Sequence, residues 1–194
     1  QVALIILLTP SLAAGLISSE RESGGWLLLK ATPMGPVKII VGKLMSVLWP
    51  LGLLLAATLP GYAVLASIRS DMTVQVTKVI ITLILTTGLS VMVSAVCSSF
   101  TRHTAVATST AYTVLLTLCA GTLVFWLGDG SVFSRGLVQR ILMINPLATA
   151  LSLIETPGFE VYQLAPGAWW FMIGICVVCA GAFLVRVRQL YKPS

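Results

Sequence analysis

Few side chains in this 194-residue chain could do chemistry, and each set fails on spacing or on company. Cys176-x-x-Cys179 has the spacing of a redox dithiol or of half a metal site. Its neighbours Ile175, Val177, Val178 and Ala180 are apolar, no second pair follows, and Cys97 and Cys119 lie in or beside apolar runs of their own. Small apolar residues buried in lipid is the reading that suits all four. His103 is the only histidine. A Ser-His-Asp set would need it beside Asp71 or Asp129, which the expected topology places on the other side of a membrane, and no metal-ligand spacing exists. A solvated place at headgroup level, next to Arg102, suits His103 better. Gly42-Lys43 has the closing pair of a phosphate-binding loop, but Gly35 is at the wrong distance and Leu44 stands where Ser or Thr is required. No intramembrane acid or base stands out for a proton relay. The expectation is therefore of no enzyme in this chain, no metal and no bound nucleotide.

Composition explains why chemistry is so sparse. The chain is 57% hydrophobic and 9% charged, with a mean hydropathy of +1.00. Soluble domains carry about 25% charged residues. Apolar runs of about 20 residues with so little charge predict an all-α, polytopic helical membrane protein. One transmembrane domain over residues 1–194 accounts for the length. The net charge of +6 would suit a nucleic-acid partner in a soluble protein. Here the basic residues sit at the ends of apolar runs and no basic patch is interleaved with aromatics, so the partner is the lipid bilayer and not nucleic acid. The chain opens at Gln1 inside an apolar run with no basic segment before it, which does not resemble a signal peptide and predicts a preceding helix that is missing here.

Five spans follow from the runs, at about residues 1–17, 44–68, 79–96, 105–127 and 169–185. Thr82, Thr86, Ser90 and Ser94 recur every fourth residue and share a face of the third span. Thr110, Thr113, Thr117 and Gly121 make a second small face on the fourth. Such faces serve close helix packing or line a translocation path. Residues 128–165 form an extracytoplasmic segment whose apolar part, 147–154, is too short to cross. Short re-entrant or interfacial helices broken at Asn145-Pro146 are expected there.

Residues 18–43 are the charged interruption that the rest is arranged around, with Glu20, Arg21, Glu22, Lys30, Lys38 and Lys43. Ser19 stands three residues before Glu22, a capping-box spacing, and Glu20 and Glu22 would lie in a first helical turn. A short helix is therefore expected to start at Glu20, weakened by Gly24-Gly25 and limited by Pro33. Trp26 and the leucines after it suit an interfacial helix. With five spans, one side of the membrane gathers Arg21, Lys30, Lys38, Lys43, Arg102, Arg186, Arg188 and Lys192, and the other Arg69, Lys78, Arg135 and Arg140. The excess of cations makes residues 18–43 and the C-terminus cytoplasmic.

This stretch resembles a segment found after the second membrane helix in permease subunits of ABC-2-type transporters. That segment runs from E-R-E through a glycine, an apolar run and A-T-P to G-K. Glu20-Arg21-Glu22, Gly24, Leu28, Ala31-Thr32-Pro33 and Gly42-Lys43 stand in the same order here. Gly25 replaces a common Thr, Leu27 a common Glu and Lys30 a common apolar residue. The resemblance implies a membrane subunit of an ATP-driven exporter in a bacterial-type inner membrane. It would pair with a second membrane subunit, identical or not, and dock a separate ABC ATPase subunit that binds ATP and Mg. Glu20, Arg21, Glu22, Gly24, Trp26, Leu28, Thr32 and Pro33 would form the coupling helix seated on that ATPase. A further helix would precede the five. The rival expectation is a membrane anchor or assembly subunit that only holds a soluble partner.

Overall fold

The computed structural model describes residues 1–25, 36–68, 72–127, 133–159, 161–162 and 164–191, with residues 36, 37, 190 and 191 as backbone alone. Every regular element among them is a helix. Five helical segments are long and apolar enough to cross a membrane: Val2–Glu22, Lys38–Ile68, Thr73–Phe100, Thr104–Leu127 and Gly167–Gln189. They are called the first to fifth spans below. Runs this apolar fold as helices in lipid because a helix satisfies its own backbone hydrogen bonds.

The first and third spans are the inner pair, 56% buried over their apolar windows against 17% for each of the others. The third touches all four other spans. Its Leu83 and Leu89 join Ile5, Leu115 and Met172 in one cluster, and its Val91 and Ala95 join Ile17, Leu51, Phe183 and Val187 in another. Trp49, Leu127, Trp170 and Val178 stay exposed on the outer helices. In a lipid protein such a surface faces acyl chains, so it needs no further cover.

Two spans depart from a plain helix. The first is Val2–Ala13 followed by Gly15–Glu22, with the break at Ala14 and Pro10 inside the first piece. The fourth is α-helical over Thr104–Leu116, widens to a π turn at Thr117–Gly121, and resumes over Thr122–Leu127. The second span belongs to the 33-residue helix Pro36–Ile68, which opens on proline and carries Pro50 and Pro60 inside. At 1.5 Å per residue it is about 50 Å long, well beyond a hydrocarbon core of about 30 Å, so it tilts or projects from the bilayer.

Before the fifth span lie the short helices Arg135–Leu142 and Pro146–Leu153, bent by 107°. The bend falls at Asn145, with Pro146 in the first helical position, where its missing N–H costs nothing.

Two expected boundaries are corrected. The helix of the first span does not stop at residue 17 for a new one to start at Glu20. It runs through to Glu22, Ser19 is not its N-cap, and the Ser19 hydroxyl donates to the Gly15 carbonyl one turn back. Gly24, at φ +75°, supplies the left-handed stop. The third span does not end at residue 96 but continues to Phe100, so Ser98 is helical.

Candidate functional site

The charged residues at the end of the first span do not project freely. They knit that span to three others. The break at Ala14 leaves the first amides of Gly15–Glu22 without intrahelical partners. The Ser98 hydroxyl of the third span accepts from two of them, Ile17 N–H at 2.8 Å and Ser18 N–H at 3.0 Å. Lys43 of the second span donates from Nζ to the Leu16 carbonyl at 2.8 Å and to Glu20 Oε1 at 2.9 Å. The break is thus filled from both sides by side chains of neighbouring spans. Both members of the Lys43–Glu20 pair are partly exposed, so its ion-pair part is worth at most about 1 kcal/mol.

One turn further on, Glu22 Oε2 accepts from Thr104 N–H at 2.9 Å and from the Thr104 hydroxyl at 2.7 Å. Thr104 opens the fourth span, whose N-cap residue His103 makes no side-chain cap bond itself. A carboxylate from the first span therefore caps the fourth, where the helix dipole also favours a negative charge. The other oxygen, Glu22 Oε1, lies 3.6 Å from His103 Nδ1. Arg21 Nη1 reaches the carbonyls of Ser99 and Thr101 at 3.4 and 3.3 Å, at the C-terminal end of the third span.

Of the eight residues that the sequence points to for docking a partner, Glu20, Arg21 and Glu22 fall together at this end of the bundle, with Gly24 just beyond them. Trp26, Leu28, Thr32 and Pro33 lie outside the described residues. Lys43, which the sequence marks as the motif's last residue but not as a site residue, completes the cluster with Ser98 and Thr104, which sequence reasoning missed. Ser98 had a visible mark, because it continues the four-residue recurrence of Thr82, Thr86, Ser90 and Ser94 by one more step.

That stripe, Thr82 to Ser98, is wholly buried in the middle of the bundle. Thr82, Thr86 and Ser94 donate to carbonyls one turn back, and Thr82 Oγ1 also accepts from Trp169 Nε1 at 3.0 Å. Ser90 Oγ is buried with no hydrogen-bond partner among the described residues. The face on the fourth span is different. Thr110 is half-buried while Thr113 and Thr117 are exposed on the outside of the helix. No hydrogen bond among the described residues joins the two faces.

At the other end of the fourth span the π turn has a partner. Asn145, fully buried, donates from Nδ2 to the Cys119 carbonyl at 2.8 Å and to Thr122 Oγ1 at 2.7 Å. Its Oδ1 accepts from Leu147 N–H and Ala148 N–H at 2.8 and 3.3 Å, capping the helix Pro146–Leu153. A π turn frees carbonyls from the regular ladder, and Asn145 takes one of them.

No group of three or more metal-ligating residues occurs among the described residues. Comparison of the chain with family models, with curated proteins and with solved structures returns no match.

Proposed function

We propose that this chain is the membrane subunit of an ATP-driven ABC exporter, with a separate ATPase subunit docked on the stretch that follows Glu22. The supporting observation is the way the end of the first span is clamped. Glu20 binds Lys43 of the second span, Arg21 the end of the third, and Glu22 the start of the fourth. A push on the connecting stretch at residues 26–35 would pass through these bonds to four spans at once. A surface helix hung on flexible links could not do that. Glu20, Arg21 and Glu22 in this reading are the transmitters behind the docking surface. The surface itself falls to Trp26, Leu28, Thr32 and Pro33, with ATP and Mg held by the ATPase and a second membrane subunit completing the path.

The break at Ala14 would let the transmitted motion bend the first span, since the two pieces are already separate helices. Breaks and π turns in spans are places where a helix can adopt a second arrangement.

The test is to purify the chain with a candidate ABC ATPase and to follow ATP hydrolysis and substrate movement together in vesicles. Glu22→Ala and Arg21→Ala are expected to leave the ATPase bound and hydrolysing while substrate movement falls. Unchanged coupling in both variants sinks the role assigned to these residues. An ATPase that binds but moves nothing with the unaltered chain favours the anchor or assembly reading.

A further inference from the structure

We propose that Arg21, Arg102 and Arg186 form a site for the phosphate of an anionic phospholipid at the Glu22 end of the bundle. The three come from three separate elements: the end of the first span, the turn after the third, and the last turns of the fifth. All converge on residues 99–102. Arg21 reaches the carbonyls of Ser99 and Thr101, and the Arg186 guanidinium lies over the Phe100 ring at 5.2 Å from its centroid. Arg102 follows directly in the chain and is exposed. Arg102 and Arg186 both repel the charge on Arg21.

Among the described residues the cluster lacks a counter-charge. The carboxylates at this end are already engaged, Glu20 with Lys43 and Glu22 with Thr104 and His103. None is paired with any of the three arginines among the described residues. Among the described residues Arg186 Nε is buried without a partner, and its Nη1 reaches only Gln189 on the same helix, at 3.3 Å. The carbonyls at the end of the third span offset part of the charge, about half an elementary charge in all. Guanidinium groups with spare donors suit a phosphate, whose two non-ester oxygens take charge-assisted hydrogen bonds, bidentate where one planar fork faces them.

The surroundings choose a lipid over a soluble anion. Residues 100–102 end an apolar span, so the cluster sits at headgroup depth. Phe100 is 57% exposed, and Leu184 and Val185, immediately before Arg186, are exposed too. Phe100, lying under the Arg186 guanidinium, gives an acyl chain an apolar surface beside the cluster. Basic pockets between membrane helices are known places for such headgroups. The inference needs only a membrane protein and does not rest on the transport reading.

The experiment is native mass spectrometry of the full chain in detergent, titrated with phosphatidylglycerol or phosphatidylcholine of the same acyl chains. The unaltered protein is expected to retain one phosphatidylglycerol in clear preference to phosphatidylcholine. Arg102→Gln with Arg186→Gln should weaken that preference roughly thirtyfold, while Arg135→Gln with Arg140→Gln leaves it unchanged. Arg102→Gln alone removes an exposed side chain with no hydrogen bond to the described residues, and should cost roughly fivefold. The preference surviving in the double variant, or in the single one should the double fail to fold, overturns the site. Displacement of the lipid by inorganic phosphate at equal concentration also overturns it, since the site would then be one for a soluble anion.

Discussion

Glu22 Oε2 holds both the backbone N–H and the hydroxyl of Thr104, so the last turn of the first span caps the first turn of the fourth, 82 residues away. Glu22→Ala is expected to lower the unfolding temperature, and Glu22→Gln, which keeps an acceptor oxygen, to lower it less. Thermal unfolding in detergent measures both. A Glu22→Ala variant as stable as the parent would mean that the carboxylate does not cap the helix in solution.

Ser98 and Ser90 lie two turns apart on one buried stripe, yet they should respond oppositely to the same substitution. The Ser98 hydroxyl satisfies two amides at the break in the first span. Its removal leaves them buried and unpaired, a cost of about 1–3 kcal/mol. Ser90 Oγ has no partner to lose among the described residues, and Ser90→Ala removes a desolvated polar atom. Ser98→Ala should therefore unfold at lower temperature, and Ser90→Ala at the same or a higher one. Equal losses in the two would contradict the geometry on which the closed break depends.

The spans were legible because 20 apolar residues in a row have few other fates, and the small-residue face of the third span was legible from its period. Boundaries were not. Stopping the first span at its serines and the third at Val96 assumed that polarity ends a helix, whereas Ser18, Ser19 and Ser98 are helical hydroxyls bonded to backbone. The Ser19–Glu22 spacing fitted a capping box, but a helix already running through Gly15 leaves the amides of that turn engaged, so there was nothing for Ser19 to cap. The break at Asn145-Pro146 is legible because proline at the first helical position and an asparagine cap both mark a helix start. The second task of Asn145, holding the π turn of the fourth span, has no local mark, because a π turn depends on what packs against it. The partners of Glu22 and the meeting of Arg21, Arg102 and Arg186 are products of tertiary folding across some 80 residues or more, and no spacing announces them.

Asn145 has every side-chain hydrogen-bonding atom engaged, two donors' worth in the fourth span and its oxygen on the following helix. Asn145→Asp keeps the cap but loses the donors and sets a charge against the Cys119 carbonyl in a buried place. Asn145→Ala loses both. Each is expected to cost about 2–4 kcal/mol, more than a surface cap, because buried partners are left unpaired. With the bent helix pair Arg135–Leu142 and Pro146–Leu153 (the hairpin) loosened, proteolysis should cut within residues 133–159 of the variants before the spans unfold. A variant with parental stability and parental protease resistance would show that the hairpin is held by its apolar contacts alone.

The same hairpin is closed on its far side by a contact that only glycine permits. Gly158 has φ +91°, and a Cβ placed there would lie 2.8 Å from Trp126 Cζ2. The indole donates to the Gly158 carbonyl at 3.2 Å and stacks on Phe159, with ring centroids 4.7 Å apart. Gly158→Ala meets two obstacles, an unfavourable backbone region and a rigid ring that the stack holds in place. The strained backbone costs about 1–2 kcal/mol, and displacement of the ring adds to it. Trp126 should then show a shifted emission and a lower unfolding temperature. The paired change Gly158→Ala with Trp126→Leu separates the two causes. Leucine relieves the clash but leaves the backbone strain, so the double variant should recover only the part of the loss owed to the ring. Full recovery would mean that φ at residue 158 carries no strain, and no recovery that the indole is not what alanine strikes.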